Sequence, residues 1–281
     1  MIKIIILFTC LISMNSQSLN AQEKIKSEWL THFEKSNYFE TARYDETIAY
    51  FKMLDAASPY AKLISIGVSP QGREIYSLVV SKDKAFTPAL AKKTMKPIVL
   101  IINGIHSGEI DGKDASKILL REILITGEKK SLIDNAIILV NPVFNVDGHE
   151  RFGPYNRINQ NGPREMGWRT TANNLNLNRD WLKADSPEMQ AMLKLFSEWL
   201  PDFFADTHST NGADYQYTVT WGLERSANMD NNLVRIIDDK FLPFMKSRMD
   251  ESGYLTMPYA WFRQEDISKG IAYGVALPRF S

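Results

Sequence analysis

Pro97-Ile98-Val99-Leu100-Ile101-Ile102-Asn103-Gly104-Ile105-His106-Ser107-Gly108-Glu109 is the stretch on which the reading of the fold turns. From Pro97 to Ile102 the run is continuously apolar and of strand length, without alternation. Such a run suits a strand covered on both faces, as in a parallel sheet. A helical pattern from Lys113 to Leu124 follows, and Ala136 to Val140 is a second apolar run. Strands separated by helices imply an α/β fold. The expected architecture is a mixed, largely parallel twisted sheet with helices on both faces.

Working outward, Ile48, Phe51, Met53 and Leu54 have helical spacing, and Ser58-Pro59 stops that helix. Lys62 to Ile66 and Ile75 to Ser81 are short strands separated by Gly67 and Gly72, which predicts a hairpin. Downstream, Ser186-Pro187-Glu188 is a helix start: a capping serine, proline at the first helical position and an acid in the first turn. That helix reaches about Trp199. Pro201-Asp202 then turns the chain into Phe203 to Ala205, expected as a buried strand ending just before His208. Asn228 to about Met249 reads as mostly helical, closed by Gly253. Gly148 to Asp185 has little periodicity and many Asn, Gly and Arg residues. Loops that long within a domain are functional or disordered, and Trp168 and Trp181 argue against disorder.

The 281 residues suit one substantial core, charged residues make up 23%, and the formal net charge is zero. Nothing in that balance suggests nucleic acid or an anionic membrane surface as a partner. Lys3 followed by the apolar run Ile4 to Leu11 and small or polar residues to Ala21 has the pattern of a secretory signal peptide. The run is too short to span a bilayer, and no later segment is apolar for long enough. Cys10, the single cysteine, lies inside the signal, so the mature chain is expected to carry no thiol chemistry. A lipid anchor through Cys10 is the weaker alternative. The predicted organisation is a signal peptide over 1–21, a leader over 22–45 and a catalytic domain over 46–281, with a secreted or periplasmic location.

His106 and Glu109 leave a buried strand at its carboxyl end, where open α/β sheets bind ligands. His208 lies just past another predicted strand, within Asp206-Thr207-His208-Ser209. Two neighbouring strand ends would bring together two histidines and a glutamate, a donor set suited to catalytic zinc with one position left for water. On spacing alone the alternative stays open, because His-x-x-Glu recurs by chance and a histidine at a strand end is often structural. His32 and His149 read as surface residues. Arg151, Arg157, Arg164, Arg169 and Arg179 crowd the long loop, and guanidinium groups suit capture of a carboxylate. A solvated basic loop reads the same way.

Several motifs, taken in order, resemble the zinc carboxypeptidase family typified by pancreatic carboxypeptidase A. They are Ile66-Gly67-x-Ser69-x-x-Gly72-Arg73, Asn103-Gly104-x-His106-x-x-Glu109, Asn141-Pro142-x-x-Asn145-x-Asp147-Gly148, Trp168-Arg169, Asn178-Arg179 and His208-Ser209. The resemblance implies a carboxypeptidase A-like fold and one zinc ion per chain, held by His106, Glu109 and His208. It further implies that Arg169 stabilises the oxyanion at the scissile carbonyl, and that Asn178 and Arg179 grip the free terminal carboxylate of a peptide substrate.

Two departures qualify it. The family aspartate that supports a ligating histidine is here Asn176, a weaker acceptor. The family's late-strand glutamate, the general base, has no clear counterpart. Glu265 is the one candidate, in a polar turn; Tyr273 and Pro278-Arg279-Phe280 resemble the approach to the active site. The sequence therefore predicts a domain that stops before its last strand and helix, with slow peptide turnover. Two further activities compete with the peptidase. One is a zinc amidohydrolase acting on N-acyl amino acids or cell-wall peptides; the other is a non-catalytic binder of peptide C-termini.

Overall fold

A computed structural model describes residues 26–223, 229–262 and 267–272. The expected signal peptide, Cys10, Glu265, Tyr273 and Pro278 to Phe280 lie outside them. The chain parts into two units between Ser209 and Thr210. In the first unit α1 (His32–Lys35) and α2 (Tyr44–Ala57) precede the hairpin β1 (Ala61–Val68) and β2 (Glu74–Val80). Next come α3 (Pro88–Thr94), β3 (Ile98–Ile102), α4 (Asp111–Leu124), β4 (Ile137–Asn141) and α5 (Val146–Glu150), then α6 (Pro187–Trp199) and β5 (Phe203–Asp206).

The five strands form one mixed sheet in the order β1-β2-β4-β3-β5. β1 and β2 pair antiparallel, β2 and β4 antiparallel, and β3 lies parallel to both β4 and β5. Parallel neighbours need a crossover, and α4 supplies the one between β3 and β4. Side chains alternate across the sheet. Ile75, Val79, Ile98, Leu100, Ile102, Ile137 and Leu139 meet Met189, Met192, Leu195 and Trp199 of α6. Leu78, Val80, Ile138 and Val140 meet Phe51 and Leu54 of α2 with Leu120 and Ile123 of α4. Both faces are thus covered by helices, which is why these strands read as unbroken apolar runs. Each such Leu or Ile, fully buried, contributes about 1.5–3 kcal/mol.

β5 departs from the buried strand expected of Phe203 to Ala205. It sits at the edge of the five-strand order, and Phe203 is 37% exposed. Phe204 does turn inward, edge-on to Trp181 and Phe196.

The start of α6 is built as its sequence predicts: Ser186 Oγ accepts from Met189 N, and Pro187 opens the helix. Asp180 accepts from Ser186 Oγ at 2.6 Å and from the Asp185 and Ser186 amides, each at 2.9 Å. In that first turn Glu188 is fully buried, and its carboxylate oxygens have no hydrogen-bond partner beyond its own backbone. Burial, aided by the nearby Asp147 and Asp180 charges, pushes its carboxyl above the ordinary 4.5. A carboxyl raised in the folded state adds most to stability below its unfolded pKa. That contribution is lost as pH rises through the folded value. Glu188→Gln is therefore expected to flatten the decline, leaving the variant more stable than the parent at about pH 8 than at about pH 4. Chemical denaturation at both pH values checks this; parallel stability profiles for parent and variant would sink it.

His149 is a correction. Asp147-Gly148-His149 reads as an exposed turn, yet His149 is only 1% exposed. Its Nε2 lies 2.9 Å from Lys113 Nζ and its Nδ1 2.9 Å from Glu150 Oε1. Lys113, also buried, donates to the Ala42 carbonyl at 2.6 Å. Glu150 Oε1 accepts from the Tyr44 amide at 3.0 Å, and Glu150 Oε2 pairs with Arg43 at 3.0 Å. Alongside, Asp114 accepts from Thr41 Oγ1 at 2.6 Å and pairs with Lys117 at 2.8 Å. Burial pulls Lys113 down to about 7 and His149 down to about 4. The turn composition hides this because the partners come from α4 and from the segment before α2.

In the second unit β6 (Val219–Trp221) pairs parallel with β7 (Thr256–Pro258). The helix expected from Asn228 begins at Asn231, where the Asp230 side chain accepts from Asn232 N. It passes through a π turn at Ile237–Phe241 into Leu242–Glu251. Gly253 follows with φ +78°, the left-handed stop that glycine permits. Among the described residues no helix is long and apolar enough to cross a membrane.

Candidate metal centre

The centre grows from the carboxyl ends of two adjacent parallel strands, β3 and β5, whose last residues Ile102 and Asp206 are paired. After β3 the chain turns sharply at Gly104, φ +65°, a left-handed conformation that costs glycine little. Asn103 locks this turn: its Nδ2 donates to Ser116 Oγ and to the Asn141 carbonyl, each at 3.0 Å, and its Oδ1 accepts from Thr207 Oγ1 at 2.9 Å.

The turn delivers His106 and Glu109, each 3% exposed, and β5 delivers His208. One donor atom from each of the three lies within 4.8 Å of the others. His106 Nδ1 is 3.0 Å from Glu109 Oε1, and His208 Nδ1 is 2.8 Å from Glu109 Oε2. Burial lowers the His106 imidazole below its ordinary value. Burial alone would raise Glu109, but hydrogen bonds from the two histidines outweigh it and hold the carboxyl far below its usual range. Burial likewise opposes charge on His208, yet hydrogen bonds to Asp206 and Glu109 bring it up to about 10.

Two imidazoles and a carboxylate are the donors that zinc takes, at distances of roughly 2.0–2.2 Å each. Donor atoms grouped this closely can all reach one ion, so the residues fit the metal. The outer nitrogens are also engaged, as ligating histidines require. His106 Nε2 faces Asn176 Oδ1 at 3.2 Å, and His208 Nε2 faces Asp206 Oδ2 at 2.9 Å.

Arginines border the centre. Arg169 Nη1 is 3.4 Å from His106 Nδ1 and 3.8 Å from Glu109 Oε1. Asn178 and Arg179 lie on the short turn Leu177–Arg179, where the Asn178 amide donates to the Asn176 side chain. Asn178 Nδ2 comes within 3.4 Å of His208 Nε2, and Arg179 Nη1 donates to the Asn178 carbonyl at 2.5 Å.

Residues 47–254, well over half of the chain, match the zinc carboxypeptidase family. The chain belongs to that family. Among curated proteins none matches the sequence. Solved structures share its fold. A Burkholderia mallei protein described as a carboxypeptidase superposes with a TM-score of 0.61 at 20% identity, over 82% of this chain and 54% of its own. Carboxypeptidase A of Helicoverpa armigera gives 0.56 at 20% identity, over 77% and 57%. A Pseudomonas aeruginosa metallo-carboxypeptidase, in complex with (2-guanidinoethylmercapto)succinic acid, gives 0.57 at 20% identity, over 76% and 50%. The chain spans about half the length of several of the solved structures it matches.

In this family member the hairpin motif and the Asn-x-Asp-Gly turn are joined. Asp147, fully buried, accepts from Ser69 Oγ at 2.8 Å and the Gln71 amide at 3.1 Å, and pairs with Arg73 at 2.7 Å. Both motifs thus serve the scaffold behind the centre. Two further residues belong to the centre, one of them distinguished in the sequence only as one of five loop arginines. Arg157, one of the loop arginines, is buried and donates to Glu109 Oε1 at 2.8 Å. It passes directly over Gly108, where a Cβ would meet Arg157 Cγ at 2.6 Å, and nothing in its sequence context marks it. Asp206 did carry a signal: strand alternation puts it on the same side as His208 two residues later.

Proposed function

We propose that this family member is an exported metallocarboxypeptidase that hydrolyses the last peptide bond of peptides with a free C-terminus. The observation that carries the proposal is the convergence of His106, Glu109 and His208 with Arg169 at their side. His106, Glu109 and His208 hold one zinc ion. Bound there, zinc supplies Lewis acidity toward the scissile carbonyl and the attacking water. Arg169 offers a fixed positive charge to the carbonyl oxygen as negative charge develops on it. Asn178 and Arg179 bind the terminal carboxylate, which confines cleavage to the chain end. Glu265, the candidate proton acceptor, lies outside the described residues. Export rests on the signal-like run Lys3 to Ala21.

Elemental analysis combined with a substrate panel tests this. About one zinc per chain, with release of the last residue from free-acid peptides, is the expected result. Cleavage of N-acyl amino acids alone would point to an amidohydrolase. Zinc with peptide binding but no turnover would leave a non-catalytic binder.

The clamp has its own prediction. Arg179→Ala is expected to weaken binding of free-acid peptides by about 1.5–3 kcal/mol, the range for a hydrogen bond to a charged group. Already weak binding of C-terminal amides should hardly change. Calorimetry with acid and amide pairs measures both, and equal losses would make the arginine structural.

A further inference from the structure

The two histidines of the metal centre are supported unequally, and the inequality has a definite arrangement. His106 Nε2 faces a neutral amide oxygen, Asn176 Oδ1, at 3.2 Å. That oxygen is shared, since it also accepts from the Asn178 amide at 3.0 Å. His208 Nε2 faces a carboxylate oxygen, Asp206 Oδ2, at 2.9 Å, and the other oxygen, Oδ1, is buried without a partner. The stronger, undivided acceptor therefore stands behind His208. Between the two residues Thr207 points the other way, donating to the Ile102 carbonyl at 3.1 Å and to Asn103 at 2.9 Å. Thr207 fixes the strand end so that Asp206 and His208 stay on one side.

We propose that Asp206 is a positioning residue for the metal. By accepting the Nε2 proton of His208 it sets the tautomer that leaves Nδ1 free to ligate, and it raises the electron-donating power of that nitrogen. In this chain the acidic partner of the centre thus sits on β5 rather than at position 176, where a neutral residue stands. The inference rests on His106, Glu109 and His208 being the zinc ligands. A carboxylate is a stronger acceptor than an amide, because hydrogen bonds to ionised groups are shorter and about twice as strong. Outer partners of this type change metal affinity by about 10–100-fold.

The test is a swap, read as the zinc dissociation constant by chelator competition and as the visible spectrum of the cobalt-substituted protein. Asp206→Asn, close in shape to the parent, is expected to weaken zinc binding about 10–100-fold and to shift the cobalt bands. Asn176→Asp alone is expected to tighten binding, and it keeps the test alive if Asp206→Asn fails to fold. Combining the two should recover most of the lost affinity, because a carboxylate again backs one ligand. A merely structural Asp206 would not be rescued from position 176. An Asp206→Asn constant within about twofold of the parent would overturn the inference, as would a loss that Asn176→Asp leaves unrepaired. A parent protein that binds no zinc would overturn the metal assignment itself, a separate result.

Discussion

Replacing either His106 or His208 by alanine is expected to abolish stoichiometric zinc in the purified protein. A full set of zinc ligands supplies about 10–16 kcal/mol of apparent binding free energy. Losing one of three protein ligands then removes on the order of 3–5 kcal/mol, or about 10²–10⁴-fold in affinity. His32→Ala serves as the control, since His32 sits beside Glu40 and Glu46. Elemental analysis after dialysis reads the outcome. Full zinc in both the His106 and His208 variants would dismiss the ligand set.

The second large effect is expected at Arg169. Its guanidinium is more than a third exposed and lies 3.4 Å from His106 Nδ1, at the margin of the donor cluster. On the proposed function its charge faces the oxygen on which negative charge develops. Removing one preorganised donor to an oxyanion costs about 10²–10³ in kcat, so Arg169→Ala should lose that much while KM changes little. Arg169→Lys, with a point charge in place of a planar fork, should recover only part. If kcat holds and KM alone rises, Arg169 binds substrate instead of stabilising charge.

How far the molecule was legible depends on what each segment is packed against. β3 and β4 are covered on both faces, so Ile98 to Ile102 and Ile137 to Val140 announce themselves by composition. α6 is announced by its own cap, because Ser186, Pro187 and Glu188 are local signals. The position of β5 is legible but its exposure is not: being an edge strand is a property of the sheet, and Phe203 carries no mark of it. His149 failed for the same kind of reason, since a turn sequence says nothing about a lysine arriving from another helix. At the metal centre, the strand-end placement of His106 and His208 was readable because it follows from topology. Arg157 was not, because a long irregular loop has no period from which to infer which of its arginines turns inward.

The segment ahead of α2 has a consequence for where the folding unit starts. Similarity to the family begins at residue 47, yet Thr41, Ala42, Arg43 and Tyr44 satisfy charged groups buried beneath them. A chain trimmed to the similarity boundary would take away the Thr41 hydroxyl on Asp114, the Ala42 carbonyl on Lys113 and the Arg43 charge beside Glu150. Each of those polar groups that stays buried without its partner costs about 1–3 kcal/mol, charged ones more. Farther upstream, Trp29 offers its carbonyl to Tyr50 and Arg121, and Glu34 pairs with Arg121 at 2.7 Å. Family likeness and mechanical integrity thus begin at different residues: the stretch just ahead of the matched range supplies partners to the buried charges of the first unit, so its removal is expected to cost stability.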